Sequence, residues 1–315
     1  MSSINTNISA MTALQSLTRT QAAMETTQKR ISTGYKVGAA EDNAAYWSIA
    51  TTMRSDNSAM STVKDALGLG AATIDVAYTA TTSAIDVTKA IKDKLVAARQ
   101  PGVDRTKVQS EITQLQGQLQ SIGDSAVFSG QNWLSTDSSG ATYNATKSIV
   151  SSFTRASSGS VSIGTIDIDT TNTKLYDANA TATQAGMVDG LRSATTGALS
   201  ATGTFSVAAL DISALTDGTT DLATLEGYIS GVDASISEMT SSASTLGATK
   251  QRVNLQQTFV TALMDAVDRG ISTLVDADMT QESTKLQALQ VQQQLGVQSL
   301  SIANQQNQSI LSLFR

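Results

Sequence analysis

Apolar residues recur in one long register along residues 222–274. The positions are Leu222, Leu225, Ile229, Val232, Ile236, Met239, Ala243, Leu246, Lys250, Val253, Gln257, Val260, Met264, Val267, Ile271 and Leu274, at alternating steps of three and four. Fourteen of these sixteen places are apolar. A stripe that repeats about every 3.5 residues stays in contact with a supercoiled partner helix, whereas it drifts around a free straight one. The pattern predicts one very long helix built to lie against others.

Partners for it are encoded in the same chain. A second seam starts at Tyr46 and runs through Ile49, Met53, Met60, Val63, Leu67, Ile74, Ala77, Ala84, Ile91, Leu95 and Ala98, and a third joins Val108, Ile112, Leu115, Leu119, Ile122 and Ala126. At 1.5 Å rise per residue the first two helices would each be on the order of 80 Å long. Pro101 and Gly102 interrupt the chain between the second and third seams, so those helices must fold back on one another. A long antiparallel coiled-coil rod is expected.

The two ends are helical in pattern yet carry no charge. Residues 2–18 and 286–314 contain no ionisable side chain. In the C-terminal stretch Leu286, Leu289, Leu300, Ala303, Ile310 and Phe314 fall on heptad places, and in the N-terminal one Ile4, Ile8, Met11, Leu14 and Leu17 recur at steps of three or four. Soluble helices normally scatter charge over their outer faces, so helices dressed only in Gln, Asn, Ser and Thr are poorly protected in water. Three readings compete. A loosely packed terminal pair would leave a sticky surface, and a membrane-surface helix would want Lys and Arg on its polar face. Packing of identical molecules through their terminal helices accounts for the neutrality best, because amides satisfy one another without burying charge. Those eleven residues are the expected self-assembly interface.

Heptads vanish between about residues 135 and 219, where Ser, Thr, Gly and Asp dominate. Alternation around Ser162 (Val161, Ile163) and Ser206 (Phe205, Val207) predicts short strands, with turns near Ser157 to Ser160 and Asp217 to Gly218. The fold class read from the chain is mainly α: an antiparallel coiled-coil rod with a terminal helix pair, plus a small β-containing central insert hanging from the rod tip.

Composition narrows the function classes. With no cysteine and no histidine, thiol chemistry, disulfides and the commonest general base and metal ligand are all missing. A net charge of -6 without a basic stripe disfavours nucleic acid. No stretch reaches the roughly 20 apolar residues of a membrane span, and the first residues lack the basic opening and apolar run of a signal peptide. One proline and no cysteine also suit a chain that travels unfolded. Neither the pair Asp167 and Asp169 nor the pair Asp276 and Asp278 has a nucleophile or phosphate loop beside it in sequence. No enzyme, cofactor, nucleic-acid partner or membrane partner is expected.

Short strings in a fixed order carry a resemblance. They are Ile4 to Asn7; Ile31, Ser32, Thr33, Gly34, Tyr35, Lys36 and Val37 followed by Glu41 to Ala45; Gln109 to Ile112; and Phe128 to Leu134. In the C-terminal half they are Leu246, Gly247 and Ala248; Asp276 to Met279; Ser299 to Asn304; and Leu311 to Arg315. In this arrangement the chain resembles bacterial flagellin over roughly residues 1–134 and 220–315. The resemblance implies a subunit of the extracellular flagellar filament, used for swimming and secreted unfolded through the flagellar channel without a cleaved signal peptide. It also implies an export apparatus, an export chaperone and a filament cap as partners, besides the chain itself and related flagellins. Terminal helices of the family order on assembly into inner tubes, which implies an assembly domain at 1–41 with 280–315, a rod domain at 42–134 with 220–279, and an exposed variable insert at 135–219. A hook–filament junction protein or a secreted rod protein of an injection apparatus are the alternatives. One departure stands out. Tyr46 and Trp47 follow the paired alanines where the family usually has smaller residues; Tyr46 opens the second seam and is expected in the core, whereas Trp47 sits about 100° around the helix from it. Trp47 is therefore either half-buried against the connecting segment or an intersubunit anchor.

Overall fold

The computed structural model describes residues 7–140, 143–179, 185–194, 196–200 and 202–313. Five helices carry the fold: α1 (Ile8–Thr33), α2 (Ala44–Ala98), α3 (Arg105–Ser125), α4 (Thr219–Val275) and α5 (Met279–Leu313). Between α3 and α4 lie the short strands β1 (Val127–Phe128), β2 (Gln131–Asn132), β3 (Ser135–Thr136) and β6 (Tyr176–Asp177), and a longer hairpin of β4 (Thr146–Arg155) and β5 (Val161–Asp169). The chain is thus mainly α with a small β-containing insert. It divides into two compact units, Met1–Ser58 with Leu263–Arg315, and Ala59–Ala262.

In the first unit, α1 begins where the Asn7 side chain accepts the Ala10 N–H and ends at Gly34, whose left-handed backbone (φ 75°) lets its N–H reach the Arg30 carbonyl. Its less exposed residues, Ala10, Ala13, Leu17, Thr20, Met24 and Thr27, repeat at steps of three and four. That face lies on α5, antiparallel: Arg30 Nη1 meets Glu282 Oε1 at 3.1 Å near one end, and Asn7 Nδ2 donates to the Ala303 carbonyl at 3.0 Å near the other. The connecting segment is pinned by Lys36 and Val37, whose N–H groups donate to the Val275 carbonyl. Asp42 then accepts the N–H groups of Gly38 and Ala39, which hold its carboxyl below the usual range. Val37, Ala50, Ile271 and Val275 form the small core here.

Tyr46 departs from expectation. It is 44% exposed, as is much of Ile49, because Ala50 takes the inward place at the start of α2 and the bulky residues before it are turned out. From Met60 to Ala98 the second seam holds: Met60, Val63, Leu67, Ile74, Ala77, Ala84, Ile91, Leu95 and Ala98 are all buried.

In the second unit α2 and α4 are antiparallel in one register. Lys92 pairs with Asp233 at 2.6 Å, Arg99 with Glu226 seven residues up and seven down, and Asp75 with Lys250 seventeen down and seventeen up. Exposed pairs of this kind contribute about 0–1 kcal/mol each, so they select alignment while the seam supplies stability. The seam of α4 is inward throughout this unit, with Leu225, Val232, Met239, Leu246, Val253 and Val260 buried. The turn after α2 is locked by the buried Arg105, which donates to the Ala98 and Leu215 carbonyls and to Asp217.

The insert differs from the sequence reading in two respects. The β4–β5 hairpin does not hang from the end of α2: it lies against α2 at Gly70 and against α4 at Gln256, whose Nε2 donates to the Ser151 carbonyl at 2.9 Å. A Cβ at Gly70 would come within 2.5 Å of the Ile149 side chain, so glycine makes the seat. Phe205 to Val207 is also no strand. Phe205 makes a single bridge to Arg192 and packs on the Tyr228 ring, and Val207–Ala209 is a short 3-10 turn held by Gln116. The anchor of this region is Arg192, fully buried, which donates to the Met187 and Gly197 carbonyls and pairs with both carboxylate oxygens of Glu238.

Candidate functional site

The α1–α5 pair presents apolar residues on two sides. Inward, Leu289 and Ala303 are buried, and Leu17, Leu286 and Leu300 are half-buried, with Leu17 lying against Gly296. Outward, Ile8, Met11 and Leu14 on α1 and Val291, Leu295, Val297 and Ile302 on α5 are each more than half exposed. Ile4 and Phe314 lie outside the described residues. Ile310 is in the last turns of α5, with its side chain also outside them.

Of the expected interface residues, the structure therefore groups Leu17, Leu286, Leu289, Leu300 and Ala303 inside the helix pair and leaves Ile8, Met11 and Leu14 on the open side. The inward seam of α1 uses Ala10 and Ala13 instead of these larger neighbours. Small residues let two helix backbones approach closely, and the larger ones are displaced to the outer surface. The outward stripe of α5 was missed in the sequence, although Val291, Leu295 and Ile302 recur at steps of four and seven beside the heptad places.

Polar groups on this outer surface are muted further. Thr12, Thr18 and Thr26 each donate their hydroxyl to the carbonyl four residues earlier, so it bonds to the helix itself. An apolar stripe flanked by self-satisfied hydroxyls and free of charge has low desolvation cost, which suits it for burial against a similar surface.

The start of α2 adds a second open patch. Trp47 is 38% exposed, beside Tyr46 and Ile49, and Tyr35 stands nearby with the Arg54 guanidinium 5.0 Å over its ring. Two of the carboxylates paired in the sequence have structural tasks. Asp169 caps the turn at Thr171 and Asp278 accepts the N–H groups of Thr280 and Gln281 at the start of α5, while Asp276 meets Tyr35 through a backbone bridge. Among the described residues no helix is long and apolar enough to cross a membrane.

Comparison with known proteins bears on these end regions. The bacterial flagellin N-terminal helical region matches residues 4–139, and the bacterial flagellin C-terminal helical region matches residues 229–314. Flagellin C of Rhizobium meliloti (strain 1021) is 51% identical over 324 aligned residues, covering all of both chains. Flagellin A of the same strain is 44% identical over 396, and a flagellin of Brucella melitensis biotype 1 is 40% identical over 316, again covering both chains completely. The helices of this two-sided pair, with their uncharged distal parts, are among those matched, in order and at both ends, and on that ground the chain belongs to the bacterial flagellin family.

Proposed function

We propose that copies of this chain assemble through the outer side of the α1–α5 pair, with Ile8, Met11 and Leu14 meeting neighbouring copies. As a flagellin, the chain is a structural subunit of the extracellular flagellar filament and polymerises with itself and related flagellins. The observation that carries the assembly reading is a pair of helices whose distal parts, within residues 2–18 and 286–314, carry no charge and have apolar residues on both inner and outer sides. In this reading Leu17, Leu286, Leu289, Leu300 and Ala303 hold α1 to α5, and Ile4, Ile8, Met11, Leu14, Ile310 and Phe314 complete the contact. Residues 1–41 with 280–315 act as the assembly domain, 42–134 with 220–279 as the rod and 135–219 as the exposed insert. Trp47 is a further anchor between copies.

Export belongs to the same proposal. The chain leaves the cell unfolded through the flagellar secretion channel without a cleaved signal peptide, escorted by an export chaperone and added beneath a filament cap. Absence of cysteine and a single proline support this, since neither a crosslink nor several slow prolyl bonds stand in the way. The role is structural and not enzymatic; the missing histidine and cysteine support that reading. Ordering the termini costs conformational entropy that intersubunit burial offsets.

The test is polymerisation of purified protein viewed by electron microscopy. The unsubstituted chain is expected to form long filaments, and Ile302→Asp is expected to remain monomeric with unchanged helicity by circular dichroism. A carboxylate buried between copies costs several kcal/mol. Short rings from the unsubstituted chain would favour a hook–filament junction role. Normal filaments from Ile302→Asp would remove the outer side of α5 from the interface.

A further inference from the structure

We propose that Leu255 and Phe259 on α4 form a knob that seats in the groove between α2 and α3 of a second copy of this chain. The proposal rests on the reading of the chain as a filament subunit and names a contact within that filament.

The knob is the most exposed pair of large apolar residues on α4. Leu255 is 72% exposed and Phe259 59%, one helical turn apart, while the seam residues Val253 and Val260 beside them are buried. Leu255 is displaced about 200° around the helix from Val253, so the seam cannot cover it. A leucine and a phenylalanine stacked on one helix face leave a contiguous apolar patch in water, a surface that association covers.

The groove is its complement. Its α2 wall is mostly small, with Ala72, Val76 and Ala80 facing Ile122, Ala126 and the Phe128 ring around a space of about 540 Å³. Neither Leu255 nor Phe259 of the same chain lines it. The small side chains of α2 leave room for an aromatic ring from outside, and Phe128 on the opposite wall gives that ring an aromatic partner.

Charge points the same way. Arg252, one turn before Leu255, is exposed and has no ion pair among the described residues. The groove is lined by Asp75, which is half exposed beside its own Lys250, and Asp124, the residue before the lining Ser125, is exposed and accepts the Ser135 hydroxyl. A cation beside the knob and carboxylates beside the groove fix which surface meets which. Because knob and groove are different surfaces, the contact is head-to-tail. Such a contact repeats without closing, as a helical polymer requires.

Absence of native cysteine makes the test clean. In full-length protein carrying Leu255→Cys and Thr79→Cys, with Phe259 intact, oxidation of filaments is expected to give a ladder of covalent multimers. Monomer, and filaments of either single variant, should give none. Separately, Phe259→Ala is expected to raise the critical concentration about tenfold, the loss of roughly 1.4 kcal/mol per contact. A covalent dimer from Leu255→Cys alone would mean a two-fold contact and overturn the proposal, as would uncrosslinked filaments of the double variant. An unchanged critical concentration in Phe259→Ala overturns it whether or not the cysteine variant polymerises. Failure of the unsubstituted chain to form filaments would instead remove the filament reading itself.

Discussion

Two helix pairs in this molecule solve the same packing problem and treat their outer surfaces in opposite ways. Both α1 with α5 and α2 with α4 are antiparallel, and both bury a seam stepping by three and four. Across α2 and α4 the flanks are charged and cross-linked by Lys92–Asp233, Arg99–Glu226 and Lys250–Asp75. Across α1 and α5 the one cross-helix ion pair among the described residues is Arg30–Glu282, near the connecting segment, and beyond it α5 carries apolar residues and neutral amides outward. The inner seam decides which helices pair within a chain. The outer side decides whether the pair is finished when it has formed: charge finishes α2 and α4 over most of their surface, whereas α1 and α5 remain open to a further partner.

The largest expected effect that sharpens this contrast concerns Trp47, an exposed aromatic in the unit that holds the terminal pair. If openness there means intersubunit contact, Trp47→Ala should weaken each contact by about 2 kcal/mol, a cost common for buried interface tryptophans. Sedimentation should then show a much higher critical concentration with monomer helicity unchanged. Trp133, which is buried, is the one other tryptophan. In a Trp133→Phe background the emission of Trp47 should shift blue on polymerisation and become shielded from a soluble quencher. The same emission and quenching in monomer and filament would assign Trp47 to the fold of its own subunit.

Where large apolar residues and heptad places coincide, the sequence was sufficient. Every one of the sixteen seam positions on α4 is buried or half-buried, as are Leu286, Leu289, Leu300 and Ala303 on α5. It is silent on which stripe turns inward where a helix has two. On α1 the large Ile8, Met11 and Leu14 stay on the open side while close approach to α5 uses Ala10 and Ala13, and side-chain size says nothing about approach. Tyr46 misled for a related reason, since the small Ala50 fits the space beside Val37 and Ile271. The insert was legible only as β-containing. Its anchor, Arg192, has no local signal, because its partners at Met187, Gly197 and Glu238 are assembled by the chain folding back on itself.

A smaller effect tests the second unit, where charge serves alignment and is generally left in water. Asp189 is one of the exceptions, beside Arg105, Arg192 and the buried Lys174–Asp177 pair. Burial pushes its carboxyl up from the ordinary value, although it accepts the Asp177 N–H at 2.7 Å. A raised carboxyl means that folding favours the protonated form, so the penalty is absent at low pH and grows as pH rises through the folded value. Asp189→Asn should therefore stabilise the insert at neutral pH, by about 1 kcal/mol or less. The gain in thermal unfolding temperature should shrink toward zero as pH falls below the ordinary carboxylate range. A gain that is equal at both pH values would mean that the substitution acts through packing and not through the charge.

The smallest effect separates alignment from stability in the α2–α4 pair. Lys92 Nζ is 2.6 Å from Asp233 Oδ1, but the aspartate side chain is well exposed, so solvent screens the attraction. Lys92→Gln is expected to cost about 0.5 kcal/mol in dilute buffer, read as a small fall in unfolding temperature, and almost nothing in concentrated salt. Reversing the pair, with Lys92→Glu and Asp233→Lys together, should restore the unsubstituted value, because the register needs opposite charges at matched steps and is indifferent to which helix carries which sign. Lys92→Glu alone should cost more than Lys92→Gln, since two carboxylates then face each other. If instead Lys92→Gln proved as costly as deleting a buried seam residue, a loss of about 2–5 kcal/mol, the ion pairs and not the apolar seam would be holding α2 to α4.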